Sequence, residues 1–387
     1  GTGRVCRLKL SLYGLRQAGR NWNRELDAAF RSLGFTRLTA DQCVYVRRDP
    51  KTDSPTIVAV HVDDMTLCAR TDEELTQIKG ELSSKFKVTD LGPLKQILGM
   101  EISQNPTDGS IRLSQANYAS RVLESVGMEK ANAVQTPLDP NVKLTPLAKG
   151  DPRIGDTAFR HGYLSGIGKL MYLAVATRPD LAFAVQHLSQ FSIRPGPEHM
   201  SALKRVFRYL RGTTSLGIAF RGSGDLHIFS DADWGNDNTD RRSISGYLSF
   251  LGASPLSWAS RKQPTVALST MEAEYMAAAR TTCEIIWLRQ LASELGISVE
   301  APTPIHIDNQ SAIKFAENPM FHARSKHIDM RHHFVRERVA SNEVKLVHCA
   351  SEDNLADILT KPLPRPQFVA LRDQFLGSAS SRGSVED

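Results

Sequence analysis

The residues of this chain best suited to chemistry are aspartates at the ends of short apolar strands. Leu226 to Asn238, LHIFSDADWGNDN, alternates apolar and polar residues and runs into Asp231, Asp233 and Asp237. A second acidic pair, Asp63 and Asp64 in HVDDM, follows the β-branched run Thr56 to Val60 at an expected tight turn. Carboxylate oxygens are the hard ligands Mg²⁺ prefers. A divalent ion held by them can polarise a phosphoryl oxygen and activate a water. One acidic cluster alone is more often a solvated turn, so the weight falls on the elements around it.

Those elements can be read from periodicity. Arg242 to Leu251 alternates with Ile244, Leu248 and Phe250 on one face, Gly252 to Pro255 turns, and Leu256 and Trp258 resume the alternation. A three-stranded antiparallel meander is therefore expected. Next come a long helix, Thr270 to Leu295, closed by Gly296, and a short strand, Pro304 to Ile307, ending in Asp308. They are followed by a helix over Gln310 to Glu317, a basic helix over Ala323 to Ser341, a strand over Val344 to His348, and a last helical segment, Asn354 to Lys361, carrying Asp357. Glu272 and Glu274 of the long helix sit about 200° apart, so only one can face an acidic cluster. Spacing alone leaves that choice open.

The blocks SDADWGND, RRSISGYLSFLGASPLSWASRKQPTVALSTMEAEYMA, IHIDNQSAIKF and NLADILTKPL lie in that order between Gly217 and Pro364. They resemble the ribonuclease H domain of copia-type LTR retrotransposon Pol polyproteins. The resemblance implies a ribonuclease H-like mixed five-stranded sheet with flanking helices and a catalytic quartet of Asp231, Glu274, Asp308 and Asp357. It also implies two Mg²⁺ ions in that site, with Mn²⁺ as a substitute, and an RNA/DNA hybrid as partner. Two ions about 3.5 to 4 Å apart activate a water and stabilise the leaving 3′ oxygen in an in-line displacement, and four clustered carboxylates balance their charge. Asp233, Asp237, Glu272 and Asp353 are expected at the surface or in helix caps.

Residues 1 to about 102 resemble the C-terminal part of the reverse transcriptase palm of the same polyproteins. SLYGLRQAGRNWN is similar to the family's LYGLKQAPRAW, and HVDDM to its YVDDM. This implies that Asp63 and Asp64 are polymerase metal ligands and that Gln17 lines the pocket for nucleotide and template. His61 stands where the motif has Tyr, and Gly19 where it has Pro. The family's first metal-binding aspartate lies upstream of VCRLK, and the chain begins without Met, as a piece of something longer would. Polymerisation by this chain alone is not expected. Periodicity here gives a helix with Trp22, Leu26, Phe30 and Leu33 at core spacing, stopped by Gly34. It gives a second helix over residues 72 to 86, capped by Thr71, with Leu75, Ile78, Leu82 and Phe86 on its core face. A hairpin of Gln96 to Gln104 with Ser110 to Ser114 follows across Thr107, Asp108 and Gly109.

Residues 103 to 216 resemble the thumb and connection region. A helix over Ser114 to Gly127 leads into an aperiodic stretch rich in Pro, Asp and Lys, Val134 to Gly155, read as a linker. Helices return from Phe159 to Arg221, broken and restarted at TRPD. Lys204, Arg208 and Arg211 share one helical stripe and are candidates for tracking phosphates, as are Arg241 and Arg242. Arg324, Lys326 and Arg331, in the basic stretch HARSKHIDMRHHFVRER, complete the candidate nucleic-acid contacts. His322, His327 and His332 recur every five residues and share no helical face, which argues against zinc. His348 is a candidate proton-transfer group.

At 387 residues two or three domains are expected. A hydrophobic share of 41% with 23% charged residues is that of a soluble globular chain. A net charge of +6 suits a polyanionic partner without establishing one. The five cysteines are scattered, with no spacing for zinc or redox work. No apolar run approaches about 18 residues, so no membrane span is expected. The resemblance implies an intracellular, cytoplasmic setting, in virus-like particles, without secretion. The reading is an α+β / α/β multidomain chain: palm 1–102, thumb and connection 103–216, ribonuclease H-like domain 217–365, and an unstructured tail 366–387 inferred from its Ser and Gly run. The expected activity is endonucleolytic cleavage of the RNA strand of a hybrid. The alternative is a noncatalytic nucleic-acid-binding remnant of a retroelement. The sequence does not give an oligomeric state.

Overall fold

Strands pair into three sheets in the computed structural model, which describes residues 8, 11–235, 240–317 and 329–377. The chain divides into two units, residues 1–94 with 287–299 and residues 95–286 with 300–387.

In the first unit, helix α1 (Ala18–Ser32) buries Leu26 and Phe30 and stops before Gly34, whose φ of 82° only glycine adopts readily. Ahead of the helix the chain turns at Gly14, whose φ is 87°. Strands β1 (Thr36–Arg37), β2 (Val44–Arg48), β3 (Pro55–His61) and β4 (Asp64–Cys68) form an antiparallel sheet in that order. Phe30 stacks on Tyr45 with centroids 4.5 Å apart, and helix α2 (Asp72–Lys85) adds Ile78 and Leu82 to the same core. Thr71 caps α2 by accepting a hydrogen bond from the Glu74 amide, as its position foretold.

In the second unit, β5 (Gln96–Ile97), β6 (Met100–Gln104), β7 (Ile111–Ser114) and β8 (Gly217–Phe220) make an antiparallel sheet. Gln96 to Gln104 is thus two strands and not one. Leu98 and Gly99, at φ 49° and 74°, fold it back on itself. Helices α3 (Ala116–Ser125), α4 (Thr157–Ala176), α5 (Ala182–Ser189) and α6 (Pro197–Gly212) follow, with no helix or strand between α3 and α4.

A mixed five-stranded sheet completes this unit. Its strands are β9 (Leu226–Asp233), β10 (Ile244–Leu251), β11 (Ser254–Lys262), β12 (Thr303–Ile307) and β13 (Val344–His348), in the order β11-β10-β9-β12-β13. The first three form the expected antiparallel meander, while β12 runs parallel to β9 and β13 parallel to β12. Alternation along β9 divides the packing. Ile228 joins Tyr275 of helix α7 (Thr270–Leu295), Ala312 of α8 (Gln310–Glu317) and Val335 of α9 (Asp329–Ala340) on one face. Phe229 and Leu248 turn to the other face, against a core shared with α4, α5 and α6.

Two expectations need correction. The helical segment Asn354 to Lys361 is instead a 3₁₀ turn, Leu355–Leu359, capped by Asn354, whose side chain accepts from the Ala356 amide. The tail expected to be unstructured from residue 366 is ordered to residue 377. Phe368, Leu371, Phe375 and Leu376 give helix α10 (Arg365–Arg372) and the turn after it a buried apolar face, and Gly377 pairs with Gly217. The Ser-rich run that suggested disorder begins only beyond that point, at residues 378–387, outside the described residues. No helix among the described residues is long and apolar enough to cross a membrane.

Candidate active site

Parallel pairing brings two of the acids together. Ile305 lies opposite Ile228 and His306 opposite Phe229, so Asp308, just past the end of β12, comes level with Asp231 on β9. The 3₁₀ turn then carries Asp357 over the same strand ends. Asn354 ties it down by donating from Nδ2 to the Ser230 carbonyl at 3.1 Å, in full burial. Carboxylate oxygens of Asp231, Asp308 and Asp357 lie within 4.8 Å of one another.

Helix α7 supplies the fourth acid. Glu274 is buried beside Asp231, close enough that Asp231, Asp308 and the Ala232 backbone all perturb its carboxyl. Glu272 turns away: its Oε2 accepts from the Leu268 amide at 2.7 Å and its own amide donates to Ser269 Oγ at 3.1 Å, a helix-start arrangement. The ambiguity left by spacing is thereby resolved in favour of Glu274 as the acid facing Asp231.

Neighbouring groups fix the carboxylates. Thr360 donates from Oγ1 to Asp231 Oδ2, and Ser351 donates to Asp308 Oδ2 at 2.7 Å. Lys361 sets its ammonium 2.9 Å from Asp357 Oδ1 and 3.8 Å from Asp231 Oδ2. Gly246, paired with Asp231 across the sheet, makes room for the turn. A Cβ there would meet Leu359 Cβ and Thr360 Cγ2 at 2.8 Å each and the Ala356 carbonyl at 3.2 Å. Gly246→Ala is therefore expected to lift the turn off the sheet and carry Asp357 away from Asp231. Stability should fall by about 1 to 3 kcal/mol, the usual range for overpacking. Divalent-ion affinity should fall with it, readable by calorimetric titration of the folded variant; an unchanged affinity would contradict this account.

The packing of acids shows in their proton affinities. Burial first, then the charges of Asp231 and Asp308, push Glu274 up to about 10. Burial and the Asp231 charge push Asp357 up to about 7 against the pull of Lys361. A carboxyl raised by folding holds its proton more tightly in the folded state, so the unfolded chain binds fewer protons and stability falls as pH rises. For Asp357 that window runs from 3.8 to about 7. Without divalent ions, the second unit is expected to melt at a lower temperature at pH 7 than at pH 5. Asp357→Asn should flatten the slope in melts run with EDTA.

These residues fit a hard divalent cation. Glu274 Oε2 is buried without a hydrogen-bond partner, and carboxyl oxygens crowded this closely suit Mg²⁺ or Mn²⁺ better than a soft ion. Burial and the nearby acids push the Cys349 thiol up to about 12.

The other sequence candidates are dispersed. Asp63 sits at the tip of the β3–β4 turn and Asp64 opens β4, both exposed in the first unit, with Tyr13 donating to Asp63. Trp22 Nε1 holds that turn through the Val62 carbonyl at 2.9 Å, and Gln17 is exposed just ahead of α1. In the second unit the basic stripe of α6 is partly spent on the chain itself. Arg208 donates to the Asn132 carbonyl at 2.7 Å and Arg211 to that of Glu129 at 2.6 Å, so both pin the stretch after α3, while Lys204 stays exposed. Arg241 and Arg242 are exposed near the open end of β10. Arg324 and Lys326 lie outside the described residues, as does Asp237, and Arg331 falls in α9 with its side chain undescribed. His348 is exposed at the end of β13. Sequence reading passed over Gly246, Ser351, Asn354, Thr360 and Lys361. A glycine inside a strand was the one available signal that something approaches closely.

A family model described as reverse transcriptase (RNA-dependent DNA polymerase) matches residues 1–140. The retrovirus-related Pol polyprotein from transposon TNT 1-94 of Nicotiana tabacum is 41% identical over 366 residues, which is 94% of this chain and 27% of that protein. A putative transposon Ty5-1 protein of Saccharomyces cerevisiae is 30% identical over 284 residues, 73% of this chain and 90% of that protein. Among solved structures, LC11-RNase H1 in complex with RNA/DNA hybrid matches with a TM-score of 0.28 and 14% identity, covering 35% of this chain and 94% of that one. The chain spans about a quarter of the length of the plant Pol polyproteins it matches, 27% and 24% in two of them.

Proposed function

Because the chain belongs to the Pol polyprotein family of copia-type retrotransposons, we propose that its second unit is a ribonuclease H-like nuclease that cuts the RNA strand of an RNA/DNA hybrid. The observation that carries this reading is the convergence of Asp231, Asp308 and Asp357 within 4.8 Å, with Glu274 against them. Those four side chains would hold the divalent ions, Mg²⁺ or Mn²⁺. When bound, the ions supply Lewis-acid activation of water and of the phosphodiester.

The chain's own groups do the rest. Thr360 and Ser351 hold the Asp231 and Asp308 carboxylates in fixed rotamers. Asn354 and Gly246 let the 3₁₀ turn rest on the sheet, so Asp357 needs no rearrangement to reach its place. Lys204, Arg241 and Arg242 are the exposed cations assigned to the hybrid's phosphates, with Arg324, Lys326 and Arg331 of the basic stretch. Arg208 and Arg211 serve mainly as ties for the loop. Strand choice would follow from 2′-hydroxyl contacts and helix shape, with little sequence preference. For the first unit, Asp63, Asp64 and Gln17 are assigned to the palm of the reverse transcriptase part, which extends to about residue 102, with thumb and connection from 103 to 216.

The test is incubation of an end-labelled RNA/DNA hybrid with this chain in Mg²⁺. Loss of the RNA strand, leaving 5′ phosphate and 3′ hydroxyl ends, is expected. A folded preparation that binds hybrid in a salt-dependent way but never cuts it would replace this reading with that of a noncatalytic nucleic-acid-binding protein.

A further inference from the structure

A cation belonging to the chain already sits among the four acids. Lys361 Nζ lies 2.9 Å from Asp357 Oδ1 and 3.8 Å from Asp231 Oδ2, and those two carboxylates are only 2% and 3% exposed. The lysine side chain is 33% exposed, and its ammonium lies against these two buried carboxylates. Its place follows from the fold: the 3₁₀ turn ends at Leu359, Thr360 donates to Asp231, and Lys361 comes next on the same side. This is no surface ion pair, whose contribution would be small. It is a positive charge placed between two carboxylates that the proposed nuclease site needs for its metal ions.

An ammonium among these oxygens and a divalent ion bound by them are alternatives. Like charges a few ångströms apart in a partly desolvated site repel strongly. Resting on the nuclease reading, we infer that Lys361 is a built-in competitor of the divalent ions. Its ammonium holds Asp231 and Asp357 together while the site is empty of metal, and it must give up that position as the ions load. Lys361 thereby sets the ion concentration at which the site fills, and it keeps the metal-free site from opening under the repulsion of its own carboxylates. Its role is to tune the site rather than to touch the reacting atoms.

The inference separates two quantities that a merely structural lysine would move together. In Lys361→Met, Mn²⁺ affinity should rise by about tenfold or more, while the melting temperature without metal falls. Lys361→Gln, which keeps a hydrogen-bond donor but no charge, should do the same, and Lys361→Arg should stay near the parent. Mn²⁺ binding is read on the full chain by electron paramagnetic resonance of the free ion, without substrate, and melting is followed in EDTA. Equal or weaker Mn²⁺ binding by both neutral variants, in preparations that are folded, would overturn the inference and leave the metal-site reading standing. No Mn²⁺ uptake by the parent or any variant would remove the metal site, and the inference with it.

Discussion

Asp231→Asn is expected to abolish cleavage of the hybrid while leaving the protein at least as stable as the parent. Asp231 lies on the central strand, 2% exposed, with Asp308 level with it just past β12, Glu274 beside it from α7, and Thr360 and Lys361 reaching it from the end of the 3₁₀ turn. Loss of its charge removes a ligand in a site where bound ions are worth several kcal/mol to the transition state. At about 1.36 kcal/mol per factor of ten, a rate loss of roughly a thousandfold follows. Asparagine keeps the shape and can still accept from Thr360. It also removes one of the negative charges that raise Glu274 and Asp357, so the metal-free protein should melt no lower than the parent. Glu274→Gln should behave alike. Glu272→Gln is the control: it touches a helix start and should keep cleavage within a few-fold. Initial rates on end-labelled hybrid, paired with melting curves, decide the matter. Activity within tenfold of the parent in Asp231→Asn would move the chemistry to another site.

How much of this was legible in the sequence depends on how each feature is encoded. Acids near strand ends are legible because alternation marks the strand and the carboxylate lies in its last residues, as Asp231 does in β9, or just past it, as Asp308 does after β12. The long helix and its stop were legible from Thr270 and Gly296. Glu274 was not separable from Glu272 by spacing, yet a physical signal was present: Ser269 three residues before Glu272 is the spacing of a capping box, which assigns Glu272 to the helix start. The turn holding Asp357 was read as a helix because a 3₁₀ segment of five residues has too few turns to declare a period. Arg208 and Arg211 show the opposite error. A basic stripe on a helix does not say whether its partner is a phosphate or the protein's own carbonyls, and here two of its members bind Asn132 and Glu129. Gly246 matters through Ala356, Leu359 and Thr360, more than a hundred residues away in the chain, and Lys361, though only four residues from Asp357, reaches Asp231 across 130 residues, a contact that no local pattern contains.

The second large effect is structural. Arg178→Met is expected to destabilise the second unit by about 3 to 5 kcal/mol, the range for stranding one partner of a buried ion pair. Arg178 and Asp180, in the TRPD break between α4 and α5, are each 1% exposed. Arg178 forks onto Asp180 with bonds of 2.9 and 2.7 Å, and donates to the Thr213 carbonyl at 2.8 Å and hydroxyl at 2.7 Å. Tyr209 donates to Asp180 at 2.6 Å, and Arg372 of α10 reaches the Tyr209 hydroxyl at 3.3 Å. Through Thr213 and Tyr209 this network joins the α4–α5 corner to the end of α6, and through Arg372 to the C-terminal helix. Those helices share their core with Leu355, Ile358 and Leu359, the apolar side of the turn that presents Asp357. The corner is therefore the wall behind the turn that carries Asp357. Methionine keeps the volume but leaves the Asp180 carboxylate buried without its cation. Replacing both partners, as Arg178→Met with Asp180→Leu, should recover part of the loss, because a buried pair exchanged for apolar groups is often nearly neutral. Denaturant unfolding of both variants, with hydrogen exchange across residues 157–212, measures it. If the single variant lost less stability than the double, the ion pair would not be what holds this wall in place.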